Sequence, residues 1–259
     1  MKREGLLIDM DGVVYGGDIL IPGADDFIND LVKREIPFTF MTNNSQRTPL
    51  EVVRKLKRLG IKVSVEHIYT SAMATASFLA SQTTNGTVYV LGDGGILSSL
   101  HNEGLTMVET DPDFVVLGEG HNFTLEMVRR AVDMILEGAK LITTNRDPSP
   151  KLKGWNNLGI ASTTAMIEEA TGKKAFVTGK PSPVMMRSAR KFIGLETAST
   201  TVIGDTMETD IQGGVQMGYK TILVLSGISK KEELNNYAFR PDMVVNSVGD
   251  IELPLEWWN

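Results

Sequence analysis

The stretch Gly5–Val14, GLLIDMDGVV, decides how the rest of the chain is read. Gly5 to Met10 is a short apolar run with its first acid near the end, the pattern of a strand buried on both faces of a parallel sheet. Asp9 and Asp11 stand two residues apart where that run ends, so a kinked exit lets both carboxylates reach the same mouth. Strand-like runs recur at Pro37 to Thr42 (PFTFMT), Thr87 to Leu91 (TVYVL), Phe114 to Leu117 (FVVL), Lys140 to Thr144 (KLITT), Thr200 to Ile203 (TTVI) and Lys220 to Leu225 (KTILVL). Between them the spacing predicts helices over Gly23–Arg34, Ser71–Ser81, Gly95–Glu103, Thr124–Glu137 and Ser162–Ala170, one opening at Pro183, and one near Thr209–Met217. A further helix is well punctuated, with Thr48 as N-cap, Pro49 at the first helical position and Gly60 past the end. Strands alternating with helices in this way predict an α/β fold built on a parallel sheet.

Composition narrows the chemistry. The 259 residues contain no cysteine and three histidines, His67, His101 and His121, which are isolated from one another and read as surface or loop residues. Disulfides, zinc–thiolate sites and thiol nucleophiles are excluded, and the work falls on carboxylates, hydroxyls, amides and lysines. The length allows one large or two ordinary domains at roughly 150 residues each. A net charge of −6 argues against a nucleic-acid polymer or an anionic membrane as partner. Apolar runs of about four to six residues fall far short of a membrane span of roughly 20. No targeting segment is recognised, so the expected compartment is the cytoplasm.

In open parallel sheets ligands gather at the carboxyl ends of strands. Polar clusters fall there repeatedly: Asp9-Met10-Asp11-Gly12, then Thr42-Asn43-Asn44-Ser45, then Gly179-Lys180-Pro181 before the Pro183 helix, then Gly204-Asp205-Thr206 with Asp210 a turn later. Singly, each has an ordinary reading as a turn, a helix approach or a cap. Together, Asp9, Asp11, Asp205 and Asp210 would crowd about four carboxylates into one pocket, where they push one another's pKa upward unless a cation intervenes. Oxygen ligands without Cys or His select a hard ion, Mg2+ first. Lys180, the Thr42 hydroxyl and the backbone N–H groups of Asn43 and Asn44 add donors for phosphoryl oxygens. This is the set of parts that phosphoryl transfer uses, and a carboxylate can serve in it as nucleophile.

DMDGVV, TNNS, GKP and GDTMETD, in that order, resemble the four motifs of the haloacid dehalogenase superfamily of phosphohydrolases. The resemblance is close to the NagD-like, 4-nitrophenylphosphatase-type branch and covers nearly the whole chain, with support from IPGADDF, YTSAMATASFL, DFVVLGEG, TNRD and ILVLSGIS. It implies a Rossmann-like parallel-sheet core of residues 1–77 and 178–259, with an inserted α/β cap of residues 78–177. It makes Asp9 the nucleophile and Asp11 the acid that protonates the leaving oxygen and then the base that activates water. It binds Mg2+ through the Asp9 carboxylate, the Asp11 backbone carbonyl and Asp205, with Asp210 orienting from the edge. Thr42, Asn43, Asn44 and Lys180 would hold the phosphoryl group.

The expected activity is Mg2+-dependent hydrolysis of small phosphate monoesters, with nucleoside monophosphates, sugar phosphates and, in vitro, 4-nitrophenyl phosphate as first candidates. Asn145, Arg146 and Asp147 could line a substrate entrance or simply form a polar strand exit. Gly92-Asp93-Gly94-Gly95 lacks the G-x-G-x-x-G spacing of a dinucleotide site. Met185 and Met186 read as helix core and flank, and Trp257 and Trp258 as anchors of the C-terminus. Pairing of copies through caps or sheet edges is compatible with such folds. Asp11 argues against a dehalogenase, because displacing halide needs no acid. The alternative from another class is a phospho-accepting or phospho-ligand-binding module. Receiver domains of that kind are about half this length and carry their Asp on a middle strand, and the intact Asp9 and Asp11 disfavour a dead scaffold.

Overall fold

Gly5–Ile8 forms a strand buried at every position, with parallel neighbours on both sides. In this computed structural model, which describes residues 4–148 and 159–258, the strand lies inside a six-stranded sheet. The order across that sheet is Met243–Val245, Lys220–Val224, Thr200–Gly204, Gly5–Ile8, Phe38–Thr42 and Ile68–Thr70. The chain builds outward on one side of Gly5–Ile8 and later returns to build on the other. The reversal between Gly5–Ile8 and Thr200–Gly204 is a topological switch point, where an open parallel sheet leaves a crevice at its carboxyl edge.

Burial on both faces explains the composition of the central strands. Leu6, Ile8, Phe40, Ile203 and Ile222 share one cluster with Phe27, Ile28 and Leu31 of helix Ala24–Lys33 and with Val52 and Leu56 of helix Pro49–Arg58. The latter helix keeps the expected punctuation: Pro49 opens it, Lys55, Lys57 and Arg58 fill its last turn, and Gly60 follows with φ 92°. Trp257 donates its indole N–H to Thr201 Oγ1 at 3.1 Å, tying the C-terminal segment to the sheet. Met185 and Met186 are both fully buried. His101 and His121 are exposed, whereas His67 packs against Phe38 in a tilted ring contact with centroids 4.6 Å apart. Burial there holds the His67 imidazole below its ordinary range.

A second sheet has five parallel strands in the order Phe176–Val177, Lys140–Thr143, Phe114–Leu117, Thr87–Leu91 and Thr106–Met107. Helices Ser71–Gln82, Gly95–Asn102, Leu125–Glu137 and Gly159–Thr171 accompany it. The first and third are capped by threonine: Thr70 Oγ1 accepts from the Met73 N–H and Thr124 Oγ1 from the Met127 N–H, each at 3.2 Å. The chain divides into two compact units, one within Met1–Thr42, Pro49–Tyr69 and Met185–Asn259, the other within Asn43–Thr48 and Thr70–Val184. Residues 149–158 of the expected cap lie outside the described residues.

Short elements escaped the sequence pattern. Ile68–Thr70, Met243–Val245 and the hairpin of Tyr15–Gly16 with Ile19–Leu20 are two or three residues long, too brief for a period to show. The helix expected near Thr209 instead begins as a π-turn over Met207–Ile211 before Gln212–Met217. Among the described residues no helix is long and apolar enough to cross a membrane. Replacing Leu6, which has no exposed surface, by Ala should lower the unfolding free energy by about 2–5 kcal/mol. A urea titration would show this as a lower midpoint, and an unchanged midpoint would remove Leu6 from the structural core.

Candidate functional site

Strand register assembles the acids of the first unit. Ile8 pairs with Ile203, and the Asp9 N–H continues the ladder by donating to the Ile203 carbonyl at 2.8 Å. Asp9 therefore sits level with Gly204, at the edge where Asp205 follows. Beyond Asp9 the Met10 carbonyl accepts from Val13, Val14 and Tyr15, which turns the chain sharply and leaves Asp11 exposed while Asp9 stays buried. The carboxylates of Asp9, Asp205 and Asp210 are all buried and lie within 4.8 Å of one another. Asp9, Asp205 and Asp210 are thus within reach of one ion, and the Asp11 carboxylate is exposed at the turn that follows Asp9. Asp210 belongs to the cluster itself.

The π-turn brings Asp210 there. The Thr206 carbonyl accepts from both the Asp210 and Ile211 N–H groups, and the widened turn folds Asp210 back against Gly204, where a Cβ would stand 2.2 Å from the Asp210 Cβ. Asp205 is oriented on both oxygens: Oδ1 accepts from Thr206 Oγ1 at 2.9 Å and Oδ2 from the Ile228 N–H at 2.7 Å. Gly12 and Gly227 crowd the same carboxylate, and a Cβ on either would stand 2.3 or 1.9 Å from Oδ2. The loop Ser226–Ser229 was not singled out as part of the site. Its Ile228 N–H holds Asp205, the Ser226 hydroxyl donates to the Gly12 carbonyl at 2.6 Å, and the Ser229 hydroxyl accepts from Met207 at 2.9 Å. The strand-end rule applied after Lys220–Val224 would have found it.

Three buried carboxylates with no nitrogen or sulfur donor among them fit a hard cation such as Mg2+. A cation would relieve the repulsion of such close-packed like charges, and the glycine-lined cradle crowds Asp205 against its neighbours.

In the second unit, the segment Asn43–Thr48 is stitched along the carboxyl ends of the second sheet. Asn43 Oδ1 accepts from the Lys180 N–H at 2.7 Å, and its Nδ2 donates to the Lys180 carbonyl at 3.2 Å and to Asp147 Oδ1 at 3.0 Å. The Asn43 carbonyl accepts from Ser71 Oγ at 2.6 Å and from Asn145 Nδ2 at 2.8 Å. The Gly95 N–H donates to the Gln46 carbonyl at 2.6 Å. A Cβ on Gly94 or Gly95 would collide with the carbonyls of Gln46 or Arg47, so the glycines of the Gly92–Gly95 run serve close backbone approach. Asn43 and Lys180 are buried and paired, whereas Thr42 and Asn44 are half-buried, and Asn44 Oδ1 accepts from the Arg47 N–H at 2.9 Å. Asn145 is fully buried as a brace for Asn43, and Arg146 pairs with Glu168 of helix Gly159–Thr171.

Comparison with known proteins agrees with the motif order. The family described as haloacid dehalogenase-like hydrolase matches residues 6–106, and a related hydrolase-like family of the same superfamily matches residues 177–251. The chain is 43% identical over 249 residues to a protein named dihydroxyacetone phosphatase from Corynebacterium glutamicum, covering 95% of this chain and 89% of that one. It is 33% identical over 253 residues to the ribonucleotide monophosphatase NagD of Escherichia coli K12, covering 98% of this chain and all of the other (100%). The solved structure of NagD from that strain superposes with a TM-score of 0.92 at 32% identity, over 97% of this chain and 99% of that one. The chain belongs to the haloacid dehalogenase-like hydrolases, in their NagD-like phosphatase branch. Within that branch it is a phosphoric monoester hydrolase.

Gly227→Ala should push Asp205 aside without disturbing either sheet. Phosphatase activity should fall by about a hundredfold with an unchanged circular dichroism spectrum, since misplacement by about 1 Å is that costly. Wild-type activity in this variant would show that Asp205 need not hold its position.

Proposed function

We propose that the protein is a Mg2+-dependent phosphatase of small phosphate monoesters that works through an aspartyl-phosphate on Asp9. The observation that carries this reading is the buried Asp9–Asp205–Asp210 cluster at the switch point of the first sheet, with donors of oxygen type only. Asp9, the Asp11 backbone carbonyl, Asp205 and Asp210 would hold Mg2+. When bound, the ion supplies charge neutralisation for the phosphoryl oxygens and for the acids themselves.

The remaining steps belong to the chain. The Asp9 carboxylate attacks phosphorus while the P–O bond to the leaving group breaks, and Asp11 gives its proton to the departing oxygen. Asp11, now a base, takes a proton from water as that water attacks the aspartyl-phosphate, releasing phosphate and restoring Asp9. The exposed position of Asp11 beside the buried Asp9 suits a group that exchanges protons with substrate and water. Thr42, Asn43, Asn44 and Lys180 are assigned to the phosphoryl group, a role supported by the tight pairing of Asn43 with Lys180. Residues 78–177 are assigned to choosing the leaving group. The relative named for dihydroxyacetone puts a triose phosphate beside nucleoside monophosphates and sugar phosphates as candidate substrates.

Asp9→Asn should reduce turnover of 4-nitrophenyl phosphate by about a thousandfold or more, because an amide is a poor nucleophile at phosphorus. Wild-type rates in that variant would rule out the covalent route. Chelation should abolish activity and added Mg2+ restore it, whereas activity that survives chelation would remove the metal. A screen of dihydroxyacetone phosphate, nucleoside monophosphates and hexose phosphates at fixed Mg2+ ranks the substrates by kcat/KM.

A further inference from the structure

Glu119 is a carboxylate that the reaction above does not use. It follows strand Phe114–Leu117 in the second unit and forms a reciprocal pair with Ser45. The Ser45 N–H donates to Glu119 Oε2 at 2.9 Å, and the Glu119 N–H donates to Ser45 Oγ at 2.8 Å. Ser45 is fully buried and also accepts from Thr144 Oγ1 at 3.2 Å. It lies two residues beyond Asn43 in the segment that braces against Lys180. Glu119 is thus the acid that fastens the middle of this segment to the second sheet.

Its surroundings oppose a negative charge. Burial pushes the Glu119 carboxyl up to about 7, and Asp147, facing it from beyond strand Lys140–Thr143, adds to the rise. The N–H groups of Ser45 and Gln46 and the Arg47 guanidinium pull the other way and only partly offset it. Asp93 flanks the same loop: its N–H donates to the Glu119 carbonyl at 3.0 Å, and its carboxylate accepts from the His121 N–H at 2.9 Å.

We propose that Glu119 is a pH-sensitive positioning residue for phosphate binding: uncharged, it holds Asn43–Thr48 in the binding arrangement, and ionised, it releases that arrangement. The proposal rests on the assignment of Asn43 and Lys180 to the phosphoryl group. Uncharged Glu119 still accepts from Ser45 through its carbonyl oxygen and brings no negative charge toward an anionic ligand. Opening the segment returns the carboxyl to water, where it ionises near its ordinary value of 4.5. Ionisation therefore favours the open form, by up to about tenfold for each pH unit between about 4.5 and about 7 and little further above that, and acidification favours the closed form. The added charge repels a phosphate in the same direction.

Glu119→Gln imitates the uncharged state, since it keeps an oxygen acceptor and cannot ionise, whereas Glu119→Leu removes the acceptor. Binding of inorganic phosphate to the full chain is measured by calorimetry from about pH 4.5 to about 8, beside hydrogen exchange of the peptide spanning residues 43–48. KM and kcat for 4-nitrophenyl phosphate are measured in parallel. The titration of phosphate itself is common to all variants and cancels in the comparison. Wild-type affinity should fall between about pH 5 and about pH 7 by about five- to tenfold more than that of Glu119→Gln, and the difference should level off above about pH 7. KM should follow affinity while kcat changes alike in both proteins, exchange protection should fall in the wild type alone, and Glu119→Leu should bind weakly throughout. Matching pH dependence of affinity and of exchange in wild type and Glu119→Gln would overturn the proposal. If phosphate binds at no pH, the assignment of Asn43 and Lys180 fails. Exchange then decides Glu119 by itself: protection lost in the wild type alone upholds its hold on the segment, and equal protection refutes it.

Discussion

Three carboxylates held out of water within 4.8 Å of one another repel by about 3 kcal/mol for each ionised pair, at an effective dielectric near 20. Much of the local structure of the first unit makes sense as a way of living with that repulsion. Asp9 is fixed by a strand that cannot move without breaking ladders on both sides. Asp205 accepts hydrogen bonds on both oxygens, and Asp210 is bent inward by a π-turn whose neighbour, Gly204, has no side chain to obstruct it. A sheet buried on both faces supplies the rigidity, because a dense core resists the small displacements that would let the acids drift apart. Such a cluster is costly without a cation and well suited to one, which is how an acidic protein can accommodate an anionic substrate.

The second unit shows a different use of polar atoms. Asn43, Ser45 and Gln46 lie along strand ends that also carry Asp93, Glu119, Asn145 and Lys180, and most of the bonds between them are buried. A loop so connected loses little freedom when a ligand arrives, which preorganises its donors. The cost is that any group in the network with a labile charge can loosen the rest.

Long, strongly patterned elements were legible because the pattern outlasts local noise. Thr87–Leu91 and Phe114–Leu117 have the limits expected from their apolar runs, and Pro49 and Gly60 punctuate their helix as their chemistry requires. The two-residue strands and Met243–Val245 were not legible, since tertiary pairing rather than side-chain pattern holds them. The π-turn at Met207 was equally hidden: GDTMETD announces acids but not the widened turn that aims Asp210. Glu119 and the Ser226–Ser229 loop stood inside stretches that supported the family resemblance, yet nothing in one dimension tied them to Ser45 or Asp205.

The sequence by itself determined the α/β class, the acids and the lysine at strand ends, and the absence of any thiol chemistry. Those follow from residue type and short-range spacing, which the chain carries without folding. Only the tertiary structure decided that Asp9, Asp205 and Asp210 come within reach of one ion while Asp11 stays exposed, and that Asn43 braces on Lys180 across a sequence separation of 137. It also decided that Gly12 and Gly227 are there to let Asp205 fit. These facts depend on strand register and on atoms meeting across long separations, and no local pattern encodes either.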